Sequence, residues 1–496
     1  MFESMYAGLD QAALLAAIEQ AARDEAQAGA RKMAAIAELV DITVAEDDER
    51  GGWAFDPWKN ATAQLGAVLS MGKRRASGQM WIAVALRYRL PKVAELYLQG
   101  RLNARLVSEI TWRTQLVADD VVAAVDAAIA TQTHRWGALS DAKLTASIDA
   151  VIERHDPDAV RRAREVIHAR DVRIGAHDDP SATATIWGQL MAGDAAALEQ
   201  LIAGMVRGVC AEDPRSAGER RSDAMGAFIQ GNEHLQCRCG SPTCVAAGPA
   251  KSRVVIQVIA DAAAVDAAKD LIADQDRQHS EAVQCQPDSG IALLPGAQVL
   301  PVAALAEAIR GGAAITELWV PGPDPELQYR PSAKLAAFVR ARDLFCRFPG
   351  CDVPAERCDI DHVVPYPYGP THASNLNCKC RDHHLAKTFW EGWHDQQLPD
   401  GTVIWTAPSG QCFTTMPGSR LYFPSWNITT AELPPVDRPP PDPGRTAKMP
   451  RRRRSRAAEN AARIKAEREA NAVLRALEEL PVVEQQPDYG SDPPPF

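Results

Sequence analysis

The sequence lacks any apolar segment that could cross a membrane. No hydrophobic run approaches the roughly 20 residues that a spanning helix needs. The first residues also lack the basic stretch that opens a secretory signal. We therefore expect a cytoplasmic protein without a membrane partner.

Aromatic residues are scarce, at 6% of the chain, whereas alanine is abundant. Alanine is the strongest helix former, so this composition favours a mainly helical protein. The 496 residues exceed what one hydrophobic core usually organises. We predict a multidomain, mainly α architecture.

The cysteines do not fit a disulfide framework. There are 11 of them, an odd number, in a chain without a recognisable secretion signal. Eight fall in two clusters, which favours metal binding over disulfides. The first cluster contains Cys237, Cys239 and Cys244, and the second contains Cys346, Cys351, Cys358, Cys378 and Cys380.

Hydrophobic periodicity divides the chain into regions of different character. Helical spacing dominates up to residue 169, and strand-like alternation begins near residue 170. Alternation on either side of Asp400–Gly401 predicts a β-hairpin. We expect a helical N-terminal domain at 1–169, a mixed α/β continuation at 170–325, a small metal-rich domain at 330–392, a hairpin extension at 393–425, and a proline-rich linker with a basic, partly helical and partly disordered tail at 434–496.

Four residues have the spacing of a closed zinc site. The stretch CRFPGC supplies Cys346 and Cys351, and CRDH supplies Cys380 and His383. Thiolates and imidazole in this arrangement favour a tetrahedral, structural Zn²⁺. Free buried thiols beside a surface histidine are the alternative.

A second set combines oxygen and imidazole groups, which suit Mg²⁺ or Mn²⁺. It consists of Asp361, His362, Asn375 and His384. The stretch CDIDHVV predicts a strand, on which adjacent Asp361 and His362 point to opposite faces. His383 and His384 lie about 100° apart on a helix, so we assign His383 to zinc and His384 to the second cation. Ordinary surface polar residues are the alternative.

The order of these groups resembles the HNH endonuclease family over residues 340–390. Asn375 follows the Asp-His pair after twelve residues, His384 follows after eight more, and cysteine pairs frame the set. The resemblance implies a ββα-metal fold with a zinc clip. It implies that His362 is the general base, that Asp361 and His384 bind the catalytic Mg²⁺ or Mn²⁺, and that Asn375 orients the base. The first cysteine pair departs from the family by its longer spacing, and the second by ending in His383.

Most of residues 1–420 resemble the mycobacterial 13E12 repeat family, in RLP, LYLQGRLN and IDHVVPYPYGPTHASNL. In that family a domain of unknown function precedes a C-terminal HNH domain. Together the resemblances imply a metal-dependent endonuclease that hydrolyses DNA phosphodiesters, with DNA as partner and no small-molecule cofactor. The competing hypothesis is a zinc-stabilised DNA-binding or mobile-element-associated protein without useful catalysis.

Several cations are candidates for DNA contacts. Arg381 and Lys387 lie in the predicted helix of the metal-rich domain, and solvated helix cations are the alternative. The formal net charge is −10, but local patches set phosphate affinity. The basic run could therefore bind the DNA backbone or remain solvated; it comprises Arg451, Arg452, Arg453 and Arg454.

Other potential ligands lie outside these two sets. His234 with Cys237, Cys239 and Cys244 could hold a second zinc ion, and plain thiols on a loop are the alternative. We interpret His372 as a solvated loop histidine. Cys378 could compete with Cys380 as a zinc ligand.

Overall fold

The computed structural model divides the chain into two compact units. One unit combines Met1–His168 with Met449–Phe496, and the other is Ala169–Lys448. The structure describes residues 5–45, 47–133, 140–161, 172–175, 184–188, 190, 192–247, 257–275, 290–310, 313–434 and 444–478.

The first unit is built from α-helices, as the composition predicts. Local capping sets their starts: the Asp10 and Asp56 side chains accept hydrogen bonds from the first turns of α1 and α2. The helices are α1 (Gln11–Thr43), α2 (Pro57–Val68), α3 (Lys73–Tyr88), α4 (Pro91–Leu98), α5 (Ala104–Arg113), α6 (Val122–Gln132) and α7 (Asp141–His155). Their apolar faces share one core, which includes the fully buried Met80, Leu90, Ile110, Ile129 and Ile148.

The C-terminal helix belongs to this first unit. The partly helical tail expected at 434–496 does contain a helix, Arg456–Glu478, but this helix lies among the elements of the N-terminal unit rather than in a region of its own. Arg456 donates to the buried Asp56 (2.9 Å), and Arg468 donates to Asp156 (2.7 Å). The buried Asn471 side chain donates to the Asp158 carbonyl (2.9 Å). These partners lie more than 300 residues away in sequence, so local patterning could not reveal them.

The second unit begins with small α/β elements. They are β1 (Val172–Ile174), β2 (Ile186–Gly188), α8 (Ala192–Arg207), α9 (Ala217–Ile229), β3 (Ile259–Ala260), α10 (Ala262–Gln275), β4 (Ala292–Leu294), β5 (Gln298–Leu300) and α11 (Val302–Arg310). The strands form one antiparallel pair, β1–β2, and one three-stranded antiparallel sheet in the order β3–β4–β5. The β-branched run of KSRVVIQVIAD predicts a short buried strand; its residues 251–256 lie outside the described part of the chain, and Ile259–Ala260 at its end form β3.

The rest of the second unit carries the predicted metal-rich domain. Its elements are α12 (Ala333–Asp343), β6 (Asp359–His362), β7 (Leu376–Lys379), α13 (Arg381–Phe389), β8 (His394–Gln397), β9 (Val403–Thr406), β10 (Cys412–Thr415) and α14 (Ser419–Tyr422). The last helix in chain order, Arg456–Glu478 of the first unit, is 23 residues long and is labelled α15. Strands β8 and β9 pair around Asp400–Gly401, and β10 adds a third strand to the expected hairpin.

Two antiparallel strands and a helix hold the sequence-predicted residues. Strand β6 pairs with β7 so that Asp361 lies opposite Asn377 and His362 lies opposite Leu376. Helix α13 begins directly after β7, with Cys380 as its N-cap residue. The buried Arg342 donates to the carbonyls of Ala373 (2.8 Å) and Leu376 (2.7 Å), which ties α12 to the start of β7.

Across the part of the chain that the structure describes, no helix is both long and apolar enough to span a bilayer.

Candidate metal centres and reaction centre

The four residues of the predicted zinc clip converge. The Sγ atoms of Cys346, Cys351 and Cys380 and a ring nitrogen of His383 lie within 4.8 Å of one another. Nδ1 of His383 is 3.4 Å from Cys346 Sγ and 3.2 Å from Cys380 Sγ. Cys351 Sγ is 4.0 Å from Cys380 Sγ. A tetrahedral zinc ion with Zn–S bonds of about 2.3 Å separates sulfur ligands by roughly 3.8 Å, so this donor set could hold zinc.

Neighbouring groups orient Cys346 and His383. The backbone N–H of Cys380 donates to Cys346 Sγ (3.2 Å), and the Phe348 ring stacks on the His383 ring with centroids 3.8 Å apart. Burial raises the pKa of the Cys346 thiol, but hydrogen bonds from Cys351 and Cys358 and the charge of His383 outweigh burial and lower that pKa well below its usual value. Cys346 is thus favoured as a thiolate, which is the form that binds metal, whereas the contacts with Cys346 and Cys380 raise the pKa of the Cys351 thiol.

Cys378 does not belong to this cluster, although the sequence left it as a competing ligand. Its neighbour Cys380 starts α13, whereas Cys378 lies in β7 opposite Ile360 and is completely buried. Burial raises the pKa of the Cys378 thiol well above its usual value. Cys378 is therefore a neutral core residue.

Asp361 and His384 face each other across β6 and α13. Asp361 Oδ1 lies 3.5 Å from His384 Nε2. In an octahedral Mg²⁺ site with bonds of about 2.0–2.1 Å, adjacent ligand atoms lie roughly 2.9 Å apart, so the two side chains would have to approach by about 0.6 Å for one cation to contact both atoms. The other ring nitrogen, Nδ1 of His384, is 2.9 Å from Asp359 Oδ2. A carboxylate on Nδ1 fixes the tautomer that leaves Nε2 free to bind a metal.

Asp359 is a site residue that the sequence reasoning missed. A signal was present, because Asp359 and Asp361 are two positions apart on a strand and so share a face. The alternation that separates Asp361 from His362 therefore brings a second carboxylate beside His384.

Buried lysines hold the other oxygen of Asp361. Asp361 Oδ2 lies 2.7 Å from Lys387 Nζ and 3.2 Å from Lys379 Nζ. The same lysines contact Asp395, at 2.9 Å for Lys379 and 3.5 Å for Lys387. Burial raises the pKa of Asp361, but Lys379, Lys387 and His384 outweigh burial and lower that pKa far below its usual range. Asp361 is therefore an anion at neutral pH.

Lys387 is an ion-pair partner of Asp361, which its position in the sequence did not suggest. It was expected either to contact phosphate or to be solvated, but its side chain is only 11% exposed and its ammonium group lies on Asp361. Burial lowers the pKa of Lys387. Arg381, in contrast, is 65% exposed and 3.6 Å from Asp359, so its guanidinium can reach a ligand.

His362 points away from Asp361 into a different environment. Its Nε2 lies 2.9 Å from Thr371 Oγ1, and the Tyr329 ring stacks on the imidazole with centroids 5.3 Å apart. The Thr371 hydroxyl donates to the Tyr329 carbonyl (3.4 Å), so its oxygen can accept a hydrogen bond from the Nε2–H of His362. Nδ1 is then the unprotonated nitrogen. Burial is the largest effect on His362 and lowers its pKa, which keeps the ring neutral.

Asn375 closes the loop between β6 and β7. Its Oδ1 accepts the N–H of Val364 (2.8 Å), and its Nδ2 donates to the carbonyls of Val364 (3.0 Å) and Pro370 (2.9 Å). A Cβ on Gly369 would come within 2.4 Å of the Val364 carbonyl and 2.6 Å of Asn375 Nδ2. The three hydrogen bonds of the Asn375 side chain therefore fix the conformation of the loop that follows His362.

His372 is a structural residue, contrary to its interpretation as solvated. It is 1% exposed. Its Nδ1 accepts the N–H of Ser374 (3.1 Å), and its Nε2 lies 3.0 Å from the Gly322 carbonyl. The imidazole thereby caps the turn that leads to Asn375.

The second cysteine cluster also converges, but with a different fourth member. Cys210, Cys237, Cys239 and Cys244 place their Sγ atoms within 4.8 Å of one another, so they could hold a metal such as zinc. His234, which the sequence analysis grouped with them, is exposed and outside the cluster. Sequence spacing did not group Cys210 with the other three cysteines, because it lies 27 positions before Cys237.

The predicted DNA-contacting run lies in the other unit. Arg452 donates to the buried Asp56 (3.1 Å), which leaves its guanidinium partly engaged. Arg451, Arg453 and Arg454 are exposed.

The comparisons with known proteins identify a family without a described activity. The model of the "Domain of unknown function (DUF222)" family matches residues 20–343. This range includes the Cys210 cluster and ends before Cys346. No solved structure matches the chain.

Relatives from Mycobacterium tuberculosis match nearly the whole chain. "Uncharacterized protein Rv3776" of strain ATCC 25618 / H37Rv is 52% identical over 470 residues, which cover 92% of this chain and 90% of its own length. "Uncharacterized protein Rv2100" of the same strain is 49% identical over 496 residues, which cover 95% of this chain and 90% of its own length. "Uncharacterized protein in est 3'region" is 46% identical over 339 residues, which cover 66% and 96%. The family match over more than half of the chain, together with these identities, shows that the chain belongs to the DUF222 family.

Proposed function

We propose that the chain is a metal-dependent DNA endonuclease of the HNH type, which hydrolyses phosphodiester bonds. One observation carries the proposal. Asp361 Oδ1 and His384 Nε2 face each other at 3.5 Å, while Asp359 holds the other nitrogen of His384. A histidine that is oriented by one carboxylate and aimed at a second is the arrangement of a metal ligand with its supporting group.

The residues of this site would have different roles in phosphodiester hydrolysis. Asp361 and His384 would hold a divalent cation, Mg²⁺ or Mn²⁺, between β6 and α13. When bound, that cation would stabilise the negative charge that develops on the scissile phosphate and its leaving oxygen. Lys379 and Lys387 keep Asp361 ionised.

His362 has the properties of a general base. Its Nε2 is engaged by Thr371, so Nδ1 is available to accept a proton from an attacking water. Its lowered pKa keeps the imidazole neutral at pH 7. Asn375 positions the loop that follows His362, and the stacked Tyr329 restricts the ring.

The substrate assignment rests on exposed cations of this segment, of which Arg381 lies at the site, 3.6 Å from Asp359. Arg330, Lys334 and Arg357 are also exposed, whereas Arg342 and Lys379 are buried in ion pairs. Exposed arginines and lysines are the groups that bind phosphate oxygens without reading sequence. A nucleic-acid backbone therefore fits this surface.

One contact favours the competing function, a zinc-stabilised DNA-binding protein without catalysis. The Lys387 ammonium already lies 2.7 Å from Asp361 Oδ2, so the carboxylate has a cationic partner without a metal. The competing function predicts DNA binding that is insensitive to Mg²⁺ and unaffected by His384→Ala.

The test is cleavage of supercoiled plasmid by purified full-length protein with Mg²⁺ or Mn²⁺. We expect His362→Ala to abolish cleavage while the zinc content stays unchanged. His394→Ala, which alters an exposed histidine of the same unit, serves as the matched control and should cleave normally. Equal cleavage by His362→Ala and the wild type would refute the assignment of the base.

A further inference from the structure

A cysteine cluster in the DUF222 region has no part in the proposed nuclease site. We propose that Cys210, Cys237, Cys239 and Cys244 bind one Zn²⁺ as a four-thiolate structural site that stabilises residues 192–247. All four Sγ atoms lie within 4.8 Å of one another, and Cys210 Sγ is 3.4 Å from Cys237 Sγ. Four thiolates around one point form a closed tetrahedral donor set for zinc, without a position for water.

The backbone forms a tight loop around three of these cysteines. The N–H of Cys237 donates to the Ala246 carbonyl (2.7 Å), which closes the loop at its base, and the N–H of Cys244 donates to the Ser241 carbonyl (3.2 Å). Gly240 has φ +72°, a conformation that other residues rarely adopt. The chain can therefore turn back directly after Cys239 and bring Cys244 to the same side.

A buried ion pair fixes the remaining cysteine against this loop. Cys210 precedes Asp213, whose side chain is 0% exposed and pairs with Arg215 (2.7 Å). Asp213 Oδ2 accepts the N–H of Arg238 (2.9 Å), and Arg215 donates to the Gln236 carbonyl (2.7 Å). The two residues that flank Cys237 are thus both bound to the segment that carries Cys210. Groups that orient ligands in this way are typical of metal sites.

The hydrophobic core of this segment is small. Among the described residues, the cluster that joins α8 to α9 has Met205, Ala224 and Leu235 as buried members, with five partly buried residues packed against them. A core of this size stabilises little, and a structural metal can add folding free energy to such a segment. The cysteine cluster lies beside this core, where a bound ion would join α8 to the loop after α9.

Zinc content of the full-length chain tests the proposal. In the His384→Ala background, which removes the proposed catalytic cation site, we expect two zinc ions per chain by mass spectrometry of the metal. Cys210→Ser should reduce this number to one. His234→Ala, the exposed neighbour that the sequence alone would have chosen, should retain two.

Cobalt provides a second readout if Cys210→Ser does not fold. The His384→Ala chain, stripped of zinc and reloaded with Co²⁺, should bind two ions and show the spectra of a four-sulfur site and a three-sulfur, one-nitrogen site. Absence of the four-sulfur spectrum from the Co²⁺-loaded chain, or loss of zinc by His234→Ala but not by Cys210→Ser, would overturn the proposal.

Discussion

At the scale of single residues, the account depends on which nitrogen of His384 is free. Asp359 occupies Nδ1, so Nε2 faces Asp361. The sequence predicted Asp361 and His384 because a known motif contains them. Strand alternation places Asp359 on the same face as Asp361, but its contact with His384 arises only when β6 and α13 come together.

Removing the Asp359 carboxylate should weaken metal binding. Asp359→Ala frees Nδ1, so the His384 ring loses its fixed tautomer and orientation, and we expect about a 10–100-fold loss of Mn²⁺ affinity. Isothermal titration with Mn²⁺ measures this directly. Asp359→Asn should restore part of the affinity, because its amide oxygen still accepts a hydrogen bond. The exposed Asp352 supplies the control variant Asp352→Ala; an equal loss there would argue against a specific role.

The environment of His362 sets the pH dependence of the reaction. Burial lowers its pKa below the ordinary value of about 6.5, and only the neutral ring can accept a proton. Cleavage should therefore be fully active at pH 7 and decline as pH falls through a value below 6.5. The pH profile of kcat/KM measures this value. A decline centred above 6.5 would show that another group is the base.

At the scale of elements, β6 and α13 each direct two adjacent side chains to different partners because of their periodicity. Adjacent residues on a strand alternate faces, so Asp361 faces α13 while His362 faces Thr371. Adjacent residues on a helix diverge by about 100°, so His383 reaches the cysteines while His384 reaches Asp361. This division could be predicted from sequence because it depends on local geometry alone.

The buried ion network between β7, α13 and β8 could not be predicted in the same way. It places Lys379, which is fully buried, between Asp361 and Asp395. In sequence Lys379 is one cation among many. Only the pairing of β6 with β7 and the position of β8 reveal that it has two carboxylates as partners.

Lys379→Met should therefore be strongly destabilising. It leaves two buried carboxylates with Lys387 as the shared cation, and breaking a buried pair costs about 3–5 kcal/mol. Urea denaturation of the zinc-loaded chain, followed by hydrogen exchange of β7, measures the effect. Lys334→Met, at an exposed position of the same unit, should change the free energy of unfolding by less than about 0.5 kcal/mol. Similar stability of the two variants would contradict the network.

At the scale of the whole molecule, the first unit is built from two stretches of sequence that the second unit separates. Helix α15 belongs with the N-terminal helices and is attached by Arg456, Arg468 and Asn471. The mainly helical character could be predicted from composition. The return of the C-terminal segment could not, because arginine-rich sequence is equally typical of a solvated tail.

Truncation at residue 448 should destabilise the first unit. It removes the partners of the buried Asp56 and of Asp156, and it exposes the apolar surface that Ile464 covers. We expect a lower melting temperature and faster proteolysis within α1–α7. Truncation at residue 478, which retains all of α15, is the control. Unchanged proteolysis after truncation at residue 448 would show that the first unit does not need α15 for its stability.

The central claim is that Asp361 and His384 hold the cation that cleaves DNA. The most direct measurement is the rate of plasmid cleavage as a function of Mn²⁺ concentration, for wild type and His384→Ala with zinc content measured on both. The account predicts Mn²⁺-dependent cleavage by the wild type, and its loss in His384→Ala at every concentration with the zinc content unchanged. Cleavage by His384→Ala at the wild-type rate, or no cleavage by the metal-loaded wild type, would contradict it.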